Sequence, residues 1–151
     1  SLHANNQTWQ SMYRFGGAPS DYVLRFTYVH HGAREAGVIL RADERCVKGY
    51  YLYFDDRCQR IALRSGHRAA ECVADLFPFD TEMERPLTLE EGKRYEVTIL
   101  AEGEIGVIYV GGQTALSFRM IDFTADGIAF YVYDGEASFE QISVRTKAGK
   151  E

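Results

Sequence analysis

Short segments in which apolar and polar residues alternate run through most of the chain, and turn-forming residues separate them at intervals of roughly 8–12 positions. The alternation is clearest at residues 21–30, where Tyr22, Leu24, Phe26 and Tyr28 share one face. A period of two indicates strands, and regularly spaced turns are typical of a sandwich or barrel. We therefore predict roughly eleven strands and no helix, with the strands at 8–15, 21–30, 36–42, 48–55, 59–64, 69–76, 95–101, 105–110, 114–119, 127–133 and 137–145.

Three segments depart from this regular pattern. Residues 75–86 hold two of the three prolines and a row of acids, which predicts a loop. The period of two breaks after Phe139, which predicts a β-bulge near Glu140 or Gln141. For residues 69–76 a helix is the alternative to a strand. The inward positions give the predicted core: Leu24, Phe26, Ile39, Leu52, Phe54, Val97, Ile99, Val107, Phe130, Val132 and Ile142.

The composition agrees with an all-β globular domain. Of the 151 residues, 46% are hydrophobic and 26% are charged, and the ten Tyr and nine Phe favour strands. We predict one β-sandwich domain at residues 1–146, followed by a polar tail at 147–151. The net charge of −5 argues against a nucleic-acid partner. The longest apolar run, residues 128–133, is too short to cross a membrane, so no membrane partner is expected either.

The cysteines and the first residues bear on location and on the length of the parent protein. Cys46, Cys58 and Cys72 cannot all pair within one chain, and their spacings match no zinc or redox motif. We interpret them as reduced thiols, which favours the cytoplasm. Residues 1–10 show neither an initiator Met nor a signal-peptide pattern, so we expect a fragment of a longer multidomain protein.

Four segments, in this order, resemble the concanavalin A-like (laminin-G-like) jelly-roll sandwich. The first is DYVLRFTYV followed by AGVILRAD, and the second is the Tyr-rich hairpin GYYLYFDDRCQRIAL. The third, LEEGKRYEVTILAEGEIGVIYVGG, enters a hairpin through Gly-Lys-x-Tyr, and the fourth is the closing strand DGIAFYVYDGEASFEQISV. The resemblance covers about residues 20–146 and implies an antiparallel two-sheet jelly roll.

Within that superfamily the chain is similar to the C-terminal sandwich of family 32 glycoside hydrolases, which act on sucrose and fructans, and to related fructan-binding modules. In those enzymes a propeller domain carries the chemistry and the sandwich packs against it. The resemblance therefore implies a non-catalytic module joined to a catalytic propeller domain of the same polypeptide. It also implies a fructose-containing sugar as a possible ligand.

Nothing in the residues points to catalysis by this chain itself. Retaining glycosidases need two carboxyl groups about 5 Å apart, and the Asn-Asp-Pro and Arg-Asp-Pro motifs of family 32 are absent. Glu71-Cys72 matches only the family's acid/base dipeptide, and we interpret Glu71 as an ordinary strand residue. We predict no hydrolase activity for the chain and no cofactor.

Metal binding has weak candidates. His30 and His31 are adjacent, and neighbouring strand residues point to opposite faces, so the pair cannot chelate one ion from a strand. Asp55-Asp56 and the acids of residues 122–126 have two open interpretations, as calcium ligands or as turn residues. We predict no metal site.

The candidate carbohydrate site consists of five residues on two neighbouring segments: Arg41, Asp43, Tyr51, Tyr53 and Asp55. Arginine and carboxylates make paired hydrogen bonds to planar or vicinal groups, and tyrosine rings can flank a sugar. Arg41 is the expected polar centre, because it ends an otherwise apolar strand. The alternative interpretation is a solvated sheet face with half-buried tyrosines.

Two other functions are open: a free-standing lectin-like carbohydrate-binding domain, and a purely structural role in domain contact or dimerisation. Trp9 is a candidate for a stacking platform or for a core or interdomain anchor. Leu76, Phe77 and Phe79 are candidates for an exposed apolar contact surface or for a loop that closes the edge of the sandwich.

Overall fold

Ten antiparallel strands make up most of the fold, which is described here from a computed structural model. The structure describes residues 2–46, 48–67 and 81–146, with side chains from residue 12 onward except those of 66–67, 81–82 and 114–115. No helix occurs in these ranges. The strands are β1 (Leu2–Phe15), β2 (Tyr22–His30), β3 (Glu35–Ala42), β4 (Lys48–Asp55), β5 (Arg60–His67), β6 (Thr81–Pro86), β7 (Arg94–Glu102), β8 (Ile105–Val110), β9 (Gln113–Arg119) and β10 (Gly127–Thr146).

Strand β10 belongs to both layers of the sandwich. Its first half pairs with β3 and with residues 10–15 of β1, which gives the first sheet the order β6-β5-β4-β3-β10-β1. Its second half pairs with β2 and with residues 2–6 of β1, which gives the second sheet the order β1-β10-β2-β7-β8-β9. The strand turns from one sheet into the other at Asp134 and Gly135, whose φ angles are 55° and 135°. The sequence predicted two separate strands here, and the structure shows one bent strand.

The main core lies between the two sheets. Tyr28 of β2 stacks on Phe54 of β4, with ring centroids 4.1 Å apart and planes inclined by 4°, so this pair joins the two layers. Phe26 meets Phe130 edge to face at 5.2 Å. Aromatic contacts of this kind contribute about 1 kcal/mol beyond the burial of their surface. Most of the predicted core is confirmed here: Leu24, Phe26, Leu52, Phe54, Val97, Ile99, Phe130 and Val132, with Ile142 packed at its margin.

A second buried cluster covers the outer face of the first sheet. It contains Ile39, Ala42, Cys46, Tyr51, Tyr53, Ala62, Ala129 and Tyr131. Ile39 was predicted for the main core, and that assignment is wrong. In the apolar run of β3 the neighbours Val38 and Leu40 face the other sheet, so Ile39 must face outward.

Two further sequence predictions need correction. Val107 is only partly buried, and Ile108 takes its predicted place in the core. The reason is Gly106, where a Cβ atom would lie 2.5 Å from the Phe118 ring, so Gly106 must face inward and Val107 outward. Residues 81–86 form strand β6 rather than a loop, because they pair with β5. The predicted bulge is confirmed by the register shift after Glu140.

Some predictions lie outside the described residues: the strand at 69–76, Glu71, Cys72, the apolar residues at 76–79, the tail at 147–151 and the side chain of Trp9. Of the cysteines, Cys46 is buried and Cys58 is exposed. The described part of the chain has no helix long and apolar enough to cross a membrane.

Candidate functional site

The structure divides the predicted carbohydrate-site residues between two places. Tyr51, Tyr53 and Asp55 lie on β4 and face outward from the first sheet, as the alternation predicted. Arg41 instead reaches the end of the sandwich, where three loops meet. Asp43 follows β3, and its carboxylate accepts a hydrogen bond from the Lys48 backbone N–H at 3.2 Å. The expected grouping of Arg41 with the two tyrosines does not occur.

A β-bulge explains the position of Arg41. Its φ angle is 53°, and the pairing of β3 with β10 shifts register between Gly127 and Ile128, opposite this residue. Arg41 is therefore turned away from the outer face of the sheet. It is 8% exposed, and its guanidinium donates to the carbonyl oxygens of Met120, at 2.9 Å, and of Ser20 and Gly103.

On the outer face, Arg64 of β5 lies between the two tyrosines of β4. Its guanidinium carbon is 4.7 Å from the Tyr51 ring centroid and 4.6 Å from that of Tyr53. Its Nη2 pairs with Glu35 Oε2 at 2.9 Å, and the Tyr131 hydroxyl donates to the same oxygen at 2.6 Å. Burial opposes the charge of Arg64, but Tyr131 and Glu35 outweigh it and raise its pKa. Tyr51 and Tyr53 are almost fully buried, so neither ring presents a face to solvent.

Beside this buried group, an arginine flanked by two carboxylates forms the more accessible part of the outer face. Arg60 Nε donates to Asp55 Oδ2 at 2.9 Å, and its Nη1 donates to Glu84 Oε1 at 3.1 Å. Its guanidinium carbon is 5.9 Å from the Tyr53 ring centroid. The side chain of Glu84 is 55% exposed, and those of Arg60 and Asp55 are 20% and 13% exposed. We call Asp55, Arg60 and Glu84 the Arg60 surface.

Three of the residues that complete the outer face were not singled out from the sequence. Arg60 and Arg64 carried a usable signal, because they alternate with apolar residues on β5 and must share the face of the β4 tyrosines. Glu84 carried none, because it lies in the segment predicted as a loop.

The histidines engage separate partners. His30 Nδ1 lies 2.9 Å from the Tyr28 hydroxyl, and its Nε2 lies 3.0 Å from Asp56 Oδ1. His31 Nδ1 lies 3.1 Å from Glu91 Oε2. Within the described ranges, no group of three or more His, Cys, Asp or Glu side chains is placed to hold a metal ion.

The aspartates considered as calcium ligands are also engaged. The two oxygens of Asp126 accept from Arg14 Nη2 at 3.1 Å and from the Gly17 N–H at 3.0 Å. Asp55 pairs with Arg60. Asp55 and Asp126 therefore each form an ion pair with an arginine.

Comparison with known proteins supports the fold. No protein-family profile matches the chain, and no curated protein matches it in sequence. Among solved structures, the carbohydrate-binding module CBM66 from Bacillus subtilis matches with a TM-score of 0.78 and 16% identity, over 93% of this chain and 84% of that one. The galectin LEC-6 from Caenorhabditis elegans matches with a TM-score of 0.65 and 13% identity, over 93% and 95% of the two chains.

An enzyme also contains this fold. The fructosyltransferase from A. japonicus matches with a TM-score of 0.70 and 17% identity, over 96% of this chain but 25% of the enzyme. This chain therefore spans about a quarter of that enzyme's length. The predicted jelly-roll sandwich, and the predicted resemblance to the sandwich of fructan-acting enzymes, are confirmed at the level of fold.

Proposed function

We propose that this chain, over residues 1–146, is a non-catalytic module that binds a carbohydrate through the Arg60 surface. In the longer protein it would support the catalytic domain of a glycoside hydrolase that acts on fructose-containing sugars. The observation that carries the proposal is the guanidinium of Arg60 held between two carboxylates on an accessible sheet face.

The chemistry of this surface suits neighbouring hydroxyl groups. A sugar hydroxyl both donates and accepts, so it can give a hydrogen bond to Asp55 or Glu84 while it accepts one from Arg60. The ion pairs hold all three side chains in place before a ligand arrives, which lowers the entropy lost on binding. Tyr53 is buried and supports Arg60 from below, so the ring does not stack on the sugar.

Two proteins of similar fold support the proposal that this chain is a carbohydrate-binding module attached to an enzyme. One of them is described as a carbohydrate-binding module. Another is a fructosyltransferase in which the matching part is 25% of the chain. A non-catalytic role agrees with the Arg60 surface itself, because both of its carboxylates are engaged by the same guanidinium.

A structural role in domain contact is the second candidate, and one surface favours it. The outer face of the second sheet carries an apolar depression of about 230 Å³, lined in part by Val23, Leu100, Ile105 and Val107. Ile105 is 54% exposed. Apolar surface of this kind marks contact sites on soluble domains, so we propose that the catalytic domain of the same polypeptide covers it.

Isothermal titration calorimetry with fructose, sucrose, and short inulin and levan oligosaccharides tests the binding proposal. We expect millimolar or tighter binding, weakened about tenfold or more by Arg60→Met, because two charged hydrogen-bond partners lose their arginine. The matched control is Arg119→Met, which removes an exposed arginine paired with Glu104 at 3.3 Å on the other sheet. It should bind as the unaltered protein does.

Two results would contradict the proposal: no heat with any of these sugars although the protein is folded, or equal affinity in the Arg60→Met variant. Purified protein should also release no fructose from sucrose, inulin or levan. Retention of the fold in each variant is checked by circular dichroism.

A further inference from the structure

A cavity of about 270 Å³ opens at the end of the sandwich, away from the Arg60 surface. It is lined by residues from four parts of the chain, among them Ser20, Arg41, Gly103 and Thr124. A water molecule takes a share of about 30 Å³ in the liquid. The cavity therefore has room for a small molecule together with water.

The guanidinium of Arg41 makes no direct ion pair with a carboxylate of the described residues. Its three hydrogen-bond acceptors are backbone carbonyl oxygens, and no carboxylate of the described residues lies within 4.0 Å of it. Two acids of the nearest loops accept hydrogen bonds from groups other than Arg41. Asp21 Oδ1 accepts from the Gly103 N–H at 2.7 Å, and Asp126 is bound by Arg14 and by the backbone of Gly17.

The positive charge of Arg41 also acts on Tyr22, a buried residue of the neighbouring core. Burial raises the pKa of Tyr22 to about 12, and the positive charge of Arg41 acts against that rise. The Tyr22 hydroxyl is buried and has no hydrogen-bond partner in the described part of the chain. Arg41 is thus a nearly buried cation, 8% exposed, whose direct partners are all neutral.

The N–H groups of Arg41 that have no acceptor indicate which class of ligand the cavity would bind. A guanidinium has five N–H groups, and the three carbonyl contacts leave the Nε–H and one Nη1–H without an acceptor among the described residues. The hydroxyls of Ser20 and Thr124 belong to residues of the cavity wall. An oxyanion and a neutral hydroxyl both accept a charge-assisted hydrogen bond from a guanidinium, but only the oxyanion also gains the attraction between opposite charges.

We infer that the cavity beside Arg41 binds a small oxyanion, a carboxylate or a phosphate, at a site separate from the Arg60 surface. The inference does not depend on sugar binding. Each of the two sites can therefore fail its own test without affecting the other.

Nuclear magnetic resonance titration of the ¹⁵N-labelled protein is the direct test. Sodium acetate and sodium phosphate are the probes, each compared with sodium chloride at equal ionic strength. We expect saturable shifts of the Gly103 and Thr124 amides at millimolar concentration, with no shift of the Asp55 and Arg60 amides. A response to acetate, to phosphate or to both supports the site and identifies which oxyanion it prefers.

Three variants locate the binding. Arg41→Gln should weaken the anion about tenfold or more, because the charge is lost. Arg41 also holds three loops, so Thr124→Val serves if that variant does not fold; it should weaken binding about threefold through the loss of one hydroxyl. Tyr22→Phe is the matched control: it removes a hydroxyl from a residue that does not line this cavity, and affinity should not change.

The inference is overturned if the amides do not respond up to about 50 mM anion, or if chloride gives the same shifts. It is also overturned if fructose moves these amides and the anions do not, since the cavity would then be a sugar site. Unchanged affinity in Thr124→Val, where Arg41→Gln fails to fold, would likewise overturn it.

Discussion

Replacing Gly37 by alanine would force strands β3 and β4 apart beside the outer-face residues. A Cβ atom at Gly37 would lie 1.9 Å from the Leu52 carbonyl oxygen and 2.7 Å from the Tyr53 Cα. Both are backbone atoms of the paired strand, so no side chain can rotate to make room. The two strands would have to separate locally by more than an ångström.

The cost of this substitution follows from two contributions. Overpacking within a tight region costs about 1–3 kcal/mol. Separation of the strands also weakens adjacent ladder hydrogen bonds, each worth about 1 kcal/mol. We therefore expect Gly37→Ala to lower the free energy of unfolding by about 3 kcal/mol, and to weaken any ligand at the Arg60 surface, since Tyr53 lies beneath Arg60.

Urea unfolding followed by circular dichroism measures this loss. Gly17→Ala is the matched control, because a Cβ there meets no atom within 4 Å, although its φ angle of 81° is unfavourable for alanine. That control should lose about 1–2 kcal/mol, the cost of the left-handed conformation for a residue with a Cβ atom. If Gly37→Ala loses no more than Gly17→Ala, the close approach of β3 and β4 is not what requires glycine, and the reasoning is refuted.

Two other properties of the fold can be tested in the same way. The Gly17 N–H holds the pKa of Asp126 below its usual value. The ionised Asp126 carboxylate should therefore stabilise the fold fully above the unfolded-state pKa of about 3.9. This stabilisation should be lost as the pH falls through the lower folded-state pKa. Asp126→Asn should flatten that part of an acid-unfolding curve. Ile108→Ala should cost about 3 kcal/mol in urea unfolding and Val107→Ala less than about 1 kcal/mol; equal costs would mean that the assigned faces of β8 are wrong.

Alternation predicted the strand faces well where one face is covered by the other sheet. Tyr22 to Tyr28 and Tyr50 to Phe54 place every second residue in the main core, as the period of two requires. The same alternation correctly placed Tyr51, Tyr53 and Asp55 on the outer face. These assignments needed only local information, because the pleat fixes the direction of each side chain.

The position of Arg41 depended on information from elsewhere in the chain. The bulge that turns it away from the tyrosines arises in the pairing with Gly127 and Ile128, far along the sequence. Similarly, the phase of β8 is set by the Phe118 ring against Gly106. A single strand segment contains neither constraint, so the composition of the candidate site could be predicted only in part.

Glu84 is a further residue whose position could not be predicted from its local sequence. Its segment has the acids and the proline of a loop, yet it becomes a strand because β5 offers a ladder to pair with. The Arg60 surface therefore exists only after the sheet has formed. Its three side chains come from three adjacent strands, β4, β5 and β6.

The position of β10 has a consequence for how the protein is made. This strand is the last of the described strands, yet it pairs with β1, β2 and β3 and supplies a member to each sheet. A ribosome releases the chain from its first residue onward, so β1, β2 and β3 emerge long before the strand that joins them. The first sheet lacks its β10 member until Tyr133 has left the exit tunnel, and the second sheet lacks its β10 member until Thr146 has left it. The two layers of the sandwich are therefore joined only after the last described strand has emerged from the ribosome.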